Sequence, residues 1–82
     1  MSTPRYFFDI DNHDHYVDDE GTELANAGAA RLQAAIFAGD YLRENPDLVL
    51  AGGRLSVAVR DHLGTVLLTV AMTASDPADS VP

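Results

Sequence analysis

Arg5-Tyr6-Phe7-Phe8-Asp9-Ile10-Asp11, running into Asn12-His13-Asp14, is the stretch that decides the fold. Three adjacent aromatics fit a half-buried pleated surface, so residues 5–11 predict a β-strand. Strand alternation puts Tyr6, Phe8 and Ile10 on one face and Phe7, Asp9 and Asp11 on the other. Asn and Asp tolerate tight reversals and bond to nearby backbone, so 12–14 predicts a turn into a short second strand over 15–18. Glu20-Gly21-Thr22 then breaks the pattern, with Gly21 supplying a dihedral that other residues resist.

Outward from this hairpin comes a helix. Asn26 is a good N-cap, because its side-chain oxygen can accept from donors of the first turn. An Ala-rich run follows, from residue 27 to 43 or 44, and Asn45-Pro46 ends it, since proline disfavours helical backbone in the residue before it. Gly28 and Gly39 weaken this helix by about 1 kcal/mol each relative to Ala. One helix stripe holds Ala30, Ala34, Phe37, Ala38 and Tyr41, enough to cover a small sheet. A second apolar stripe holds Leu32, Ala35, Ile36, Gly39 and Leu42. It is covered either by Leu48-Val49-Leu50 of the same chain or by another molecule.

Residues 47–53 read as a connector. Residues 54–60 alternate, with Leu55, Val57 and Val59 on one side and Arg54, Ser56, Ala58 and Arg60 on the other. Asp61-His62-Leu63-Gly64 predicts a hairpin turn with Gly64 at positive φ. Residues 65–73 return as a further strand, with Val66, Leu68, Val70 and Met72 on one face and Leu67, Thr69, Ala71 and Thr73 on the other. Residues 74–82 predict a disordered tail. The expected architecture is a single domain over residues 4–73. It is an α+β, two-layer β-β-α-β-β fold with a mainly antiparallel four-stranded sheet and one helix on one face.

Arg5-Tyr6-Phe7-Phe8, then Asp18, Glu20-Gly21-Thr22-Glu23-Leu24, then Ala29-Ala30-Arg31, then the alternating Arg-bearing strand and its Gly turn, resemble a family of small bacterial proteins known only as a domain of unknown function. The similarity spans roughly residues 4–73. It implies the length and order of elements and brings no activity, cofactor or catalytic residue with it.

The 82-residue chain carries 13 acidic and 5 basic residues, a formal charge of −8, and no Cys. Disulfides and thiolate zinc sites are therefore excluded. The five basic residues are all Arg, at 5, 31, 43, 54 and 60. A negative field repels phosphate backbones and anionic lipid surfaces, so no nucleic acid and no membrane are expected as partners. A cation or a basic protein surface is the partner that such charge favours. No stretch reaches the roughly 20 apolar residues of a membrane span, and the N-terminus lacks a secretory pattern, so the expected compartment is the cytoplasm.

Catalytic patterns are missing: there is no Gly-x-Ser-x-Gly, and Gly52-Gly53 has no Lys after it to make a phosphate cradle. The chain reads as no enzyme and as needing no cofactor. Its one crowd of potential ligands is Asp9, Asp11, His13, Asp14, His15, Asp18, Asp19 and Glu20. Asp9, Asp11, His13 and Glu20 match four positions of an EF-hand loop, but Asp14 stands where that loop needs Gly. A looser transition-metal site made of Asp9, Asp11, His13 and His15 is the workable version. His62 belongs to the other end of the sheet.

The sequence thus leads to a small interaction or self-associating module, with a homodimer through Leu32, Ile36 and Leu42, or through an open sheet face bearing Phe7. The alternatives are divalent-metal binding at the first hairpin and an acidic decoy for a basic partner.

Overall fold

The computed structural model describes residues 3–12, 14–50 and 53–74. In chain order the elements are β1 (Arg5–Asp11), β2 (His15–Tyr16), β3 (Thr22–Glu23), α1 (Ala27–Glu44), α2 (Asp47–Leu50), β4 (Arg54–Arg60) and β5 (Val66–Thr73). The fold is α+β. One antiparallel sheet runs β2-β1-β4-β5, with β3 joining β1 on the same edge as β2. The first hairpin has Ile10 opposite Tyr16, and β1 lies beside β4 with Phe8 opposite Val59 and Asp11 opposite Ser56. The predicted tail, apart from Ala74, lies outside the described residues.

The parity of β1 is settled by burial. Tyr6, Phe8 and Ile10 join Leu55, Val57 and Val59 under α1, which contributes Ala30, Ala34 and Ala38. Small Ala side chains let the helix approach the sheet closely, and the aromatic rings fill the margin. Phe8 meets Phe37 edge-on at 6.1 Å between centroids, and Phe37 meets Tyr41 at the same distance. Asn26 caps the helix as its sequence predicts, its Oδ1 accepting from the Ala29 N–H at 2.9 Å.

Three expectations need correction. Strand pairing over 15–18 stops at Tyr16 and resumes only at Thr22, because the Asp18 side chain replaces the backbone ladder between them. Part of the connector 47–53 is helical, and α2 buries Val49 against the core beside half-buried Leu48. In β5 strict alternation fails. A register shift at Val59/Arg60 places Val66 opposite Arg60 and Leu68 opposite Val59. Leu67 therefore packs against the core alongside Leu68, while Val66 is left 57% exposed. A bulge adds one residue to the strand and moves one side chain to the other face.

Candidate functional site

Two regions bear on function: the acidic edge of the sheet around β1, and the outer face of α1.

At the acidic edge, the carboxylates of Asp9 and Asp18 are engaged by the chain itself, while Asp11, Asp14, Asp19 and Glu20 are exposed. Arg60 donates from Nε to Asp9 Oδ2 at 2.8 Å and from a terminal nitrogen to Asp9 Oδ1 at 3.3 Å. The same nitrogen donates to the Asp18 carbonyl at 2.7 Å. The guanidinium also lies 4.8 Å from the centre of the Phe7 ring, a cation–π stack. Asp9 Oδ1 accepts in addition from the Asp18 N–H at 3.0 Å. Asp9 and Arg60 are diagonal neighbours on the helix-free face of β1 and β4, so the register alone brings them together.

Asp18 ties down the irregular segment between β2 and β3. Its Oδ2 accepts from the Phe8 N–H at 3.2 Å, and its Oδ1 accepts from the N–H groups of Glu20 at 3.0 Å and Gly21 at 3.1 Å. Burial pushes the Asp18 carboxyl up, but the three N–H donors and the nearby Arg60 charge outweigh it, so its pKa lies below the usual carboxylate value. Gly21 has φ +76°, and a side chain there would sit 2.7 Å from Arg5 Cγ and 2.8 Å from Phe7 Cε2.

Asp61-His62-Leu63-Gly64 repeats this device. Asp61 Oδ1 accepts from the N–H groups of Leu63 and Thr65, both at 2.9 Å, and Gly64 has φ +87°. Asp-x-x-Gly with a positive-φ glycine is one turn used twice, and the spacing is visible in the sequence. What the sequence did not reveal is that Asp18 reaches across to β1, or that Arg60 is the partner of Asp9. Both depend on strand order.

The proposed metal ligands are distributed as follows. Asp9 holds Arg60 and the Asp18 N–H. Asp11 faces His15, with its Oδ1 3.1 Å from His15 Nδ1. His13 lies outside the described residues. Among the described residues no three His, Asp or Glu side chains are grouped to hold an ion. His62 is at the other end of the sheet from His15, beside Arg5 and Glu23. Phe7, the proposed sheet-face contact, is half-buried beneath Arg60.

The helix side is asymmetric. α1 rides chiefly over β4 and β5 rather than over the middle of the sheet. On the β1 side this leaves an open groove of about 420 Å³ lined by Phe8, Tyr16, Asp18, Leu24, Gln33 and Phe37. The Asp18 carboxylate there is already engaged by three backbone donors, so the groove is largely apolar.

The outer face of the helix, turned away from the sheet, stands free. Leu32 is 63% exposed and Ile36 is 47% exposed, one turn apart. Ala35 and Gly39 are exposed beside them, and a side chain at Gly39 would meet nothing within 4 Å. Leu42 departs from the predicted stripe: it is half-buried against the core. At about 100° per residue it lies only 80° from Ala34, the centre of the buried face, while Leu32 lies 160° away.

The sequence over residues 5–73 matches the family described as Domain of unknown function (DUF6894). The chain belongs to this family. The family brings no activity to assign, and the match covers every described strand and helix. No curated protein and no solved structure matches the chain. Among the described residues of this DUF6894 protein, no helix is long and apolar enough to cross a membrane.

Proposed function

We propose that this protein is a small self-associating module in which two copies meet through the outer flank of α1. The observation that supports the reading is the exposed pair Leu32 and Ile36, next to Ala35 and a mid-helix Gly39 with open space around it. Gly in a helix interior costs about 1 kcal/mol relative to Ala, and nothing within the chain requires it at 39. A small residue beside large exposed ones lets a second helix come close, with Leu and Ile filling the space above Ala and Gly.

Arg31 lies toward the start of α1, and Asp40, Arg43 and Glu44 lie toward its end, all exposed, with Arg43 3.6 Å from Asp40 of the same chain. Exposed charges of this kind guide orientation more than they add affinity.

The strength can be bounded. Finishing the burial of Leu32 and Ile36 gives about 1–2 kcal/mol per side chain, hence about 4–8 kcal/mol over the four in a dimer. Association costs roughly 4–15 kcal/mol in lost freedom of motion. The helix stripe by itself therefore holds a weak dimer at best.

The test is sedimentation equilibrium at high micromolar concentration. Wild type is expected to associate, and Ile36→Asp to run as a monomer with unchanged circular dichroism. A wild type that stays monomeric at that concentration sinks the proposal.

A further inference from the structure

β5 is the edge of the sheet. Among the described residues nothing pairs with its outer side. The strand Val66–Thr73 is eight residues long and contains no charged residue and no Pro. Long uncharged edges are hazardous, because their free N–H and C=O groups recruit other strands. Proteins usually blunt them with Lys, Pro or a covering loop, and the described residues put none of these on this edge. Its one irregularity, the register shift opposite Val59/Arg60, lies at its beginning.

The helix stands over this edge. Arg31 Nε donates to the Leu67 carbonyl at 3.4 Å, which marks the Arg31 side of α1 as the β5 side. Phe37, stacked on Phe8, marks the β1 side. Turning from the buried face past Arg31, the helix presents Leu42, Ala35, Gly39 and Leu32 in that order. Leu42, Ala35 and Gly39 thus rise above β5, while Leu32 and Ile36 lie about 160° from Ala34 on either side, on the outer face.

We propose that a second copy of this chain occupies the edge, β5 pairing antiparallel with β5 about a two-fold axis normal to the sheet, so that the sheet runs on through both subunits. This deepens, and rests on, the self-association proposed above: it places the strand edge, with Leu42, Ala35 and Gly39 above it, at the seam, and Leu32 at its border.

Three features favour a copy over a foreign strand. The chain has a net charge of −8, and two copies repel unless they meet along an uncharged strip, which β5 supplies. The two-fold axis that makes the strands antiparallel also places the two α1 helices antiparallel on the same side of the sheet. Leu42, Ala35 and Gly39 of each helix then face their counterparts.

The third feature is spacing. Strands in a sheet lie about 4.8 Å apart. A helix riding midway between β4 and β5 sits about one strand spacing from the axis, so the two helices lie about 9.6 Å apart. Packed helices are separated by about 8–10 Å, the shorter end going with small contact residues such as Ala35 and Gly39. A continuous sheet and a close helix pair are satisfied by one arrangement.

The test uses the wild-type chain first. Alternate amides of β5 point away from β4. In the associated form at high concentration, hydrogen exchange is expected to show these outward amides between Leu67 and Met72 protected, and dilution to the monomer to release them selectively. An associated wild type whose outward β5 amides exchange freely overturns the edge pairing while leaving the helix contact standing. A wild type that never associates defeats both.

A second arm uses Thr69 and Ala71, which are exposed on the helix-free face of β5. Thr69→Lys with Ala71→Lys, and separately Thr69→Glu with Ala71→Glu, are each expected to be folded monomers, since like charges meet across the seam. Mixing the two is expected to give a one-to-one dimer. Association of either double variant alone, or no dimer on mixing, overturns the proposal.

Discussion

Replacing Asp18 by Ala tests how the edge of β1 is held. The Asp18 carboxylate takes the N–H groups of Phe8, Glu20 and Gly21, and those of Phe8 and Gly21 are partly buried. A hydrogen bond to an ionised acceptor contributes roughly 1.5–3 kcal/mol when water cannot replace it. Water can serve the exposed Glu20 N–H, and it reaches the other two in part, which leaves about 1 kcal/mol for each. The expected loss is about 2 kcal/mol, and in a domain of this size that lowers Tm by roughly 8–16 °C. Asp18→Asn keeps one acceptor oxygen for the Glu20 and Gly21 donors and loses the other, so it is expected to fall between Ala and wild type.

Urea and thermal denaturation at low concentration measure both variants. The pH dependence carries the sign. A native carboxyl held below its ordinary value contributes stability that is fully present above that value and is lost as pH falls through the native pKa. The gap between wild type and Asp18→Ala is therefore constant near neutrality and narrows in acid. A loss under about 0.5 kcal/mol, the range of an ordinary surface substitution, refutes the view that this carboxylate closes the edge.

Two glycines should respond in opposite directions to Ala. Gly21→Ala places a side chain at φ +76° and against Arg5 and Phe7, so a loss of at least about 2 kcal/mol is expected in urea denaturation. Gly39→Ala has open space and a helical backbone, so the dilute monomer should gain about 1 kcal/mol in the same assay. Asn26→Ala removes the acceptor for the Ala29 N–H and should cost about 1 kcal/mol, with fraying of the first turn of α1 seen as faster exchange of its amides.

Much of the fold was legible because its signals are local. The strand at Arg5–Asp11, the cap at Asn26, the stop at Asn45-Pro46 and the positive φ at Gly21 and Gly64 each depend on residues within a turn or two. The candidate site was legible in part. The spacing puts Leu32, Ile36 and Leu42 on one stripe and leaves its cover open; Leu32 and Ile36 are exposed, whereas Leu42 turns to the core. Phe7 could be placed on the helix-free face only as one of two parities, and its cover, Arg60, comes from a strand 53 positions away along the chain. The bulge in β5 has no Gly or Pro to announce it, and so strict alternation misplaces Val66 and Leu67.

The sequence by itself determined the three long strands and the long helix, because side-chain periodicity and capping are properties of neighbouring residues. Tertiary structure alone decided that β4 lies between β1 and β5, that Asp9 meets Arg60, and that α1 is displaced toward β5. Those outcomes depend on pairing and packing between segments far apart in the chain, which no local pattern specifies. That displacement is what leaves an uncharged strand edge and an apolar helix flank side by side.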